Sequence, residues 1–223
     1  KHIHKHTHRH TPYIIMSYSY NSYYYYSIML SYYIYIHTHY TFTNNNSVAE
    51  TTTAMPLGAP AGMTGMQFTA SSSMYLERDG DIPALSTGDW TIEYWVKHDT
   101  LSADQTHIAV HQFTPSILYD HSATKWSIYN GAHHYIDTVT PEINKWYHFA
   151  WVHNNTDGKL RIFINGAFVQ EYTENFSISG QRYYIGRDST GKYMDGTISN
   201  MRIVKGQALY TKSFTAPTSA YNG

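Results

Sequence analysis

The amino-acid sequence predicts an all-β protein, a sandwich or jelly roll of antiparallel strands that follows a low-complexity leader. From Met66 onward, apolar and polar residues alternate with a period of two, which is the pattern of half-buried strands. About a dozen short runs of this kind are separated by polar turn clusters, which is typical of a β-sandwich. No amphipathic helix competes with them, and only Gly206–Tyr210 is predicted to form a single helical turn.

Charge balance and missing residue types exclude several classes of function. The 223 residues include 15 Lys and Arg against 16 Asp and Glu, and the net charge of −1 provides no basic field for nucleic acid. The absence of cysteine excludes a disulfide framework, a thiolate zinc site and a cysteine nucleophile. There is no apolar run of about 18 residues that would form a membrane-spanning helix. We therefore expect neither nucleic acid nor a membrane as a partner.

Residues 1–54 differ in composition from the rest of the chain. Residues 1–50 hold 11 of the 23 tyrosines and 7 of the 15 histidines, with Glu50 as their single acidic residue. We predict that residues 1–54 are a low-complexity leader and linker, and that residues 55–223 form the folded domain. The leader opens on five histidines separated by single residues, namely His2, His4, His6, His8 and His10.

Three interpretations of the leader are open. Alternate side chains of an extended strand share a face, so the five histidines could chelate Zn, Ni or Cu. Tracts of Tyr, Ser and Asn with little charge favour β-stacking, which would make the leader a disordered or self-assembling segment. The first ten residues can also be encoded by a nearly pure AC dinucleotide repeat. In that case the leader would be a translation artefact upstream of a true start near Met55.

Two strands of the folded part are predicted with contrasting faces. In Trp90–Lys97, Trp90, Ile92, Tyr94 and Val96 share one face, while the other carries Thr91, Glu93, Trp95 and Lys97. The segment Trp146–Val152 is apolar at both alternating sets of positions, so we expect a central strand covered on both faces. The predicted core includes Trp90, Trp146, Leu160, Ile162 and Ile198.

A hairpin and further strands complete the predicted fold. Asn165-Gly166 lies between two β-rich runs, and such a pair is a strong signal for a type I′ turn. Polar clusters such as Asn154–Gly158 and Arg187–Gly191 are predicted turns. The remaining predicted strands are Met66–Ala70, Ser73–Glu77, His107–Gln112, Ser116–Asp120, Lys125–Asn130, His133–Thr138, Arg182–Ile185 and Ile198–Val204.

Several motifs in this order carry a family resemblance. They are Asp89–Lys97, Lys145–Val152, Leu160–Val169, Tyr184–Arg187 and Tyr193–Ile203. Together they resemble the laminin-G-like, concanavalin-A-like jelly-roll domains. The closing stretch, Val204–Thr218, is similar to a subgroup found in phage and marine-virus structural proteins. The resemblance implies two antiparallel sheets and a module of tail fibres, capsid decorations or surface adhesins, frequently one that recognises glycans.

The sequence does not predict an enzyme. A related fold hosts β-glucanases that carry Glu-x-Asp-x-x-Glu along one strand, but Trp95 stands two residues after Glu93, where the Asp would be. Retaining glycosidases need two carboxyl groups about 5–5.5 Å apart. The nucleophile motif Gly-x-Ser-x-Gly and the zinc motif His-Glu-x-x-His are also missing.

Binding is the expected activity, and loop residues are its candidates. Sugars are held by aromatic faces and by carboxylates and amides that reach hydroxyl groups, in some proteins through Ca²⁺. Calcium is therefore the one cofactor left open, and none is certain. The candidate ligand-binding residues lie in two predicted turns and are Asn155, Asp157, Asp188 and Tyr193. For each of them an ordinary solvated turn residue is the simpler interpretation.

We expect a non-enzymatic structural or adhesion module of a virion surface or tail fibre, with glycan recognition. Its partners would be glycans or host-surface polysaccharide and other virion or self subunits, and its location a virion or the extracellular space. One alternative is a secreted or cell-surface lectin-like module of a cellular organism. Another is a His/Tyr-rich metal-binding or self-assembling protein with a β-sandwich head.

Overall fold

The computed structural model describes residues 13–17, 25–32, 36–51, 65–78, 85, 88–110, 115–173 and 182–218. Within these ranges nearly all regular structure is antiparallel strand, and a 3₁₀ helix at Ala70–Ser72 is the only helical element. No helix in these ranges has the length and apolar character needed to cross a membrane. The strands are β1 Tyr13–Ser17, β2 Tyr25–Tyr32, β3 Ile36–Asn45, β4 Ala49–Thr51, β5 Gly65–Phe68, β6 Tyr75–Arg78, β7 Trp90–His98, β8 Gln105–Val110, β9 Ser116–Asp120, β10 Lys125–Tyr129, β11 His133–Tyr135, β12 Trp146–Asn154, β13 Lys159–Ile164, β14 Ala167–Thr173, β15 Tyr183–Ile185 and β16 Gly196–Lys205.

The strands form one continuous ladder that folds into two layers. Its order is β11-β10-β9-β8-β15-β6-β3-β2-β1-β16-β7-β12-β13-β14, and β5 pairs with β16 and β4 beside this path. We call β11 to β6 the first layer and β16 to β14 the second layer. The leader strands β3, β2 and β1 connect the edge of β6 to the edge of β16. Two antiparallel sheets in this arrangement confirm the predicted jelly-roll sandwich.

The inner faces of the two layers meet in an aromatic core. The ring of Trp126, on the first layer, lies 4.7 Å from that of Tyr147 and 4.9 Å from that of Phe149, both on the second. All three side chains are buried. Each large apolar side chain buried in this way contributes roughly 1.5–3 kcal/mol to stability. The core lies between the layers, so its side chains are not available to a partner.

The predicted strands from Met66 onward are confirmed, with small shifts at their ends. Strand β12 is covered on both faces as predicted, and most of its residues are buried. Trp146 is a correction, because it lies on the outer face of β12 and is only half-buried. No helical turn forms at Gly206–Tyr210. The other predicted core residues are fully buried, namely Trp90, Leu160, Ile162 and Ile198.

The Asn165-Gly166 turn is confirmed and has a second role. Its residues have φ values of +53° and +77°, as a type I′ turn requires. The Asn165 side chain accepts a 2.9 Å hydrogen bond from the backbone N–H of His148, so it closes the turn against β12. A Cβ on Gly166 would lie 2.0 Å from the carbonyl oxygen of Phe214. Glycine therefore also lets the C-terminal segment approach the hairpin.

That C-terminal segment, residues 207–217, is a strap that covers the outer face of the second layer. The Thr91 hydroxyl donates to the carbonyl of Gln207, and the indole N–H of Trp95 donates to that of Pro217, each at 3.0 Å. The strap rings of Tyr210 and Phe214 stack 3.5 Å apart and lie over the outer face of the second layer. The second face of β7, expected to be only half-buried, is therefore largely covered.

Beneath the strap lies a buried ionic cluster centred on Glu93. The Glu93 side chain is fully buried, and its Oε2 lies 3.3 Å from Nε2 of the equally buried His148. Its Oε1 accepts a 2.8 Å hydrogen bond from Nε of Arg202, and the Tyr210 hydroxyl donates to Oε2 at 3.1 Å. Burial acts to raise the pKa of Glu93, but the hydrogen bond from His148 and the charge of Arg202 outweigh it and hold the pKa below its ordinary value. Glu93 is therefore an ionised carboxylate that fastens the strap to the sheet.

Strands also occur before Met66, where the period-two pattern was expected to start. Strand β4 pairs with β5, and Val48 is buried in the main hydrophobic core. The Asn46 side chain donates a 3.0 Å hydrogen bond to the carbonyl of Ser73. The division into residues 1–54 and 55–223 stays a prediction, but these contacts tie residues 43–51 to the domain.

Shortening the chain tests where the folded domain begins. A chain of residues 55–223 is expected to be less stable than a chain of residues 43–223 by about 2 kcal/mol or more, because it loses the burial of Val48 and the β4–β5 pairing. Urea unfolding of both chains measures the difference, and Val48→Ala in the full chain isolates the side-chain part. Equal unfolding free energies would place the domain boundary at Met55.

Candidate functional site

The outer face of the first layer carries a row of side chains across six strands. Register pairs join His133 to Tyr129, Tyr129 to Ser116, Ser116 to Ala109, Ala109 to Tyr184 and Tyr184 to Glu77. The row therefore has aromatic side chains on both flanks and small, buried side chains in the middle. Three strand spacings separate the two tyrosines, which corresponds to about 14 Å.

One flank of the row is an aromatic group that we call the His133 cluster, made of Tyr129, His133 and Tyr135. The rings of His133 and Tyr135 stack 5.1 Å apart with an interplanar angle of 2°, and the Tyr129 ring lies 4.9 Å from that of His133. All three side chains are half-buried, so each keeps part of its surface open to solvent. A flat, partly accessible aromatic surface of this kind suits the apolar face of a sugar ring.

The carboxylate of Asp120 holds two members of the His133 cluster in place. Its Oδ2 accepts a 2.8 Å hydrogen bond from the Tyr135 hydroxyl and lies 3.6 Å from Nε2 of His133. Burial acts to raise the pKa of Asp120, but hydrogen bonds from Ser122, from Tyr135 and from the backbone lower it to about 2. Burial and this carboxylate together raise the pKa of Tyr135 to about 12. At neutral pH a charged Asp120 therefore holds a protonated Tyr135 in place.

A Ser-His-Asp arrangement exists here, but its geometry does not suit nucleophilic catalysis. The Ser127 hydroxyl lies 2.9 Å from Nδ1 of His133, and His133 reaches Asp120 on its other side. Ser127 is, however, fully buried, and its hydroxyl lies 3.2 Å from the carbonyl oxygen of Ile128, to which it can donate. A nucleophile must contact the substrate and pass its proton to the base. Ser127 instead orients the imidazole.

The other flank is what we call the Arg187 cluster, formed by Tyr75, Tyr184, Arg187 and Tyr193. The guanidinium carbon of Arg187 lies 4.2 Å from the ring centre of Tyr75, 4.8 Å from that of Tyr184 and 5.6 Å from that of Tyr193. These distances place the cation within the range of cation–π attraction. Burial raises the pKa of Tyr75, although the charge of Arg187 acts in the opposite direction. The Tyr75 hydroxyl therefore stays protonated at neutral pH.

The predicted loop residues Asn155 and Asp157 lie elsewhere, in the turn between β12 and β13 of the second layer. The backbone N–H of Asn155 donates a 2.7 Å hydrogen bond to Asp89. Asp157 pairs with Arg161 across the same turn, and that interaction lowers its pKa. These contacts are those of an ordinary closed turn, and the structure does not bring either residue to the row on the first layer.

Asp188 and Tyr193, the other predicted pair, lie in the loop after β15. Asp188 is buried, and its Oδ1 accepts hydrogen bonds from Thr190 and from the backbone N–H of Lys192, so it closes its own loop. Tyr193 belongs to the Arg187 cluster. Among the described residues, no three His, Asp or Glu side chains gather as metal ligands. A calcium site at Asp157 or Asp188 stays a prediction, and His2, His4, His6, His8 and His10 lie outside the described residues.

The members of the row were not predicted from the sequence, because the predicted ligand-binding residues all lay in turns. Tyr129, His133 and Tyr135 lie in strands that the sequence did predict. The signal was present in the alternation of β10, where Trp126 and Ile128 face the core and Tyr129 faces outward. Arg187 gave no local signal, because its cluster is completed by a tyrosine far away in the sequence.

The sequence shows which family the domain belongs to. Residues 68–210 match a laminin G family described as the concanavalin A-like lectin/glucanases superfamily. This chain belongs to that superfamily. The match spans β6 to the start of the strap, so both layers and both clusters lie within the superfamily domain. Comparison with curated proteins gives no significant match.

Solved structures of similar fold come from several sources. Domain 4 of AbnA, an extracellular arabinanase from Geobacillus stearothermophilus solved with arabinotriose, has a TM-score of 0.55 and 15% identity, and the match covers 74% of this chain and 82% of that one. A Trypanosoma rangeli sialidase has a TM-score of 0.57 and 13% identity, with 89% of this chain and 31% of the sialidase covered. The binding domain of botulinum neurotoxin DC, solved with SialylT, has a TM-score of 0.54 and 12% identity over 82% of this chain and 46% of the other. At these identities the similarity shows the superfamily fold alone.

Proposed function

We propose that this protein is a non-enzymatic glycan-binding module whose ligand lies along the row on the outer face of the first layer. The observation that carries the proposal is the row itself, in which aromatic side chains flank small ones; Tyr129 and His133 on one flank are half-buried, and Tyr184 on the other is buried. Partly accessible aromatic side chains such as Tyr129 and His133 pack against the apolar faces of sugar rings. The arabinotriose bound to the arabinanase domain of similar fold agrees with a sugar ligand.

The chemistry of the row favours binding over catalysis. Asp120 is ionised and has its two oxygens occupied by protein donors, so it lacks the raised pKa of a general acid. Glu93 is buried under the strap on the opposite layer, where a substrate cannot reach it. The polar groups of the row are therefore suited to orienting hydroxyl groups.

A glycan array followed by calorimetric titration of the best ligand tests this proposal. Tyr129→Ala is expected to weaken binding about tenfold or more, because one aromatic contact of this kind contributes about 1–1.5 kcal/mol or more with its burial. Phe168→Ala is the matched control, since Phe168 is an exposed aromatic residue on β14 of the second layer and should not matter. No bound glycan, or equal losses in the two variants, would refute the proposal.

We propose further that the module belongs to a virion surface or tail fibre, where many copies would raise the avidity for host glycans. The support is the similarity of Val204–Thr218 to the phage and marine-virus subgroup. A secreted or cell-surface lectin of a cellular organism is the alternative. Mass spectrometry of purified virus particles from the source, with the intact mass of the protein, distinguishes the two and shows whether the leader is retained.

A further inference from the structure

Arg187 is a half-buried cation that has no anionic partner among the described residues. Its only hydrogen bond to a described residue runs from Nη1 to the Tyr193 hydroxyl at 3.3 Å, and its Nε is buried with no acceptor. A buried donor left without an acceptor costs about 1–3 kcal/mol. The Nε–H of the guanidinium is thus an unused donor in a place that water does not reach.

The nearby carboxylates are engaged elsewhere. Glu77, at the end of the row, pairs with Arg182 at 3.6 Å. The Oδ1 of Asp188, the residue after Arg187, accepts hydrogen bonds from Thr190 and Lys192 of its own loop. No ion pair joins Arg187 to any described carboxylate, so its charge is balanced only by the faces of tyrosine rings.

The rings hold the guanidinium in a defined orientation before any ligand arrives. Tyr75 and Tyr184 lie closest to it, and Tyr193 adds both its ring and its hydroxyl. Pre-ordering a long side chain removes part of the entropy cost of binding. Arginine presents a planar fork of donors that matches the oxygens of a carboxylate or sulfate.

We infer that the Arg187 cluster binds the acidic group of a charged sugar, a carboxylate or a sulfate, so that the ligand of the row is an anionic glycan. This inference rests on the proposed function, because it names the chemical class of the glycan. The acidic group lies against Arg187 and Tyr193, and the neutral part of the sugar extends along the row toward the His133 cluster.

Matched ligands test the inference on the full chain. The probes are a uronic-acid oligosaccharide, the same oligosaccharide with its carboxyl groups reduced to alcohols, and a sulfated oligosaccharide. The acidic probe is expected to bind about tenfold to a hundredfold more tightly than the reduced probe, the gain from a charge-assisted hydrogen bond. Arg187→Gln should remove this preference, while Arg187→Lys, which keeps the charge but not the fork, should retain part of it.

The outcomes separate this inference from the proposed function. If the acidic and reduced probes bind equally, and Tyr129→Ala weakens both, the module binds neutral glycans and the inference is wrong. If no probe binds and the glycan array is also blank, the proposed function is wrong. Preference for the sulfated or the uronic-acid probe identifies which anion the cluster takes. Thermal unfolding of both Arg187 variants shows whether a loss of binding comes from a loss of fold.

Discussion

Replacement of Glu93 by alanine is expected to lower the free energy of unfolding by about 3–5 kcal/mol, the cost of breaking a buried ion pair. The variant removes the carboxylate that holds Arg202, His148 and Tyr210 together under the strap. Arg202 then loses its ion pair with Glu93, and Tyr210 loses the acceptor that fixes its hydroxyl. Urea unfolding at neutral pH measures the loss.

Glu171→Ala is the control for Glu93. Glu171 also contacts two cations, Lys159 and Arg161, but it is exposed on β14. Exposed ion pairs contribute about 0–1 kcal/mol, so this variant should be nearly neutral. The double variant Glu93→Leu with Arg202→Leu should recover part of the loss, because no buried charge remains. Similar losses for Glu93→Ala and Glu171→Ala would contradict the structural role of the buried cluster.

The difference between the expected and observed faces of β7 shows what a local pattern can predict. The alternation of Trp90, Ile92 and Tyr94 correctly predicted the core face, because side-chain direction in a strand depends only on position. The burial of Glu93 depends on Tyr210, which lies 117 residues away in the sequence. No local pattern shows that a later segment returns to cover the polar face.

The candidate site was less predictable than the fold for a similar reason. The row joins β11, β10, β9, β8, β15 and β6, so it depends on strand register across the whole first layer. Residue type alone predicted that acidic and amide residues in turns, such as Asp157 and Asp188, bind the ligand. The structure shows that local ion pairs and turn hydrogen bonds occupy both. Tyr193 was singled out because it lies beside such a turn, and its role in binding stays a prediction.

The core contains a row of four hydrogen-bonded polar side chains, which we call the polar chain. Its hydrogen bonds allow one consistent placement of the protons. The Tyr94 hydroxyl lies 2.9 Å from Nδ1 of His107, Nε2 of His107 lies 2.8 Å from Nε2 of His98, and Nδ1 of His98 lies 2.9 Å from Oε1 of Gln105. Because the Gln105 oxygen can only accept, Nδ1 of His98 donates to it and His98 Nε2 accepts from His107. Each imidazole thus uses one donor and one acceptor, and a further proton on His98 would set two N–H groups against each other.

Because of the polar chain, the free energy of unfolding is expected to fall as the pH is lowered from about 6.5 to 5, before the carboxylates titrate. Burial lowers the pKa of His98 to about 4, although Gln105, Asp99 and Asp195 act in the opposite direction. Burial lowers the pKa of His107 well below its ordinary value, and the neighbouring His98 lowers it further. Above about pH 6.5 both histidines are neutral in the folded and unfolded states, so they add no pH dependence. Below it only the unfolded chain gains protons, and each histidine removes up to about 1.4 kcal/mol of stability per pH unit.

Unfolding free energies at pH 7.5, 6.5, 5.5 and 5.0 measure this slope. His107→Gln should reduce the slope below pH 6.5 by about 1.4 kcal/mol per pH unit or somewhat less, whatever it costs at pH 7.5. His121→Gln, at an exposed histidine that follows β9, is the matched control for the substitution. If His107→Gln and the unaltered protein have equal slopes, the polar chain accepts protons in the folded state, contrary to its hydrogen-bond geometry. The slope tests the polar chain independently of packing. A lost packing contact lowers the free energy of unfolding by the same amount at every pH, so it leaves the slope unchanged.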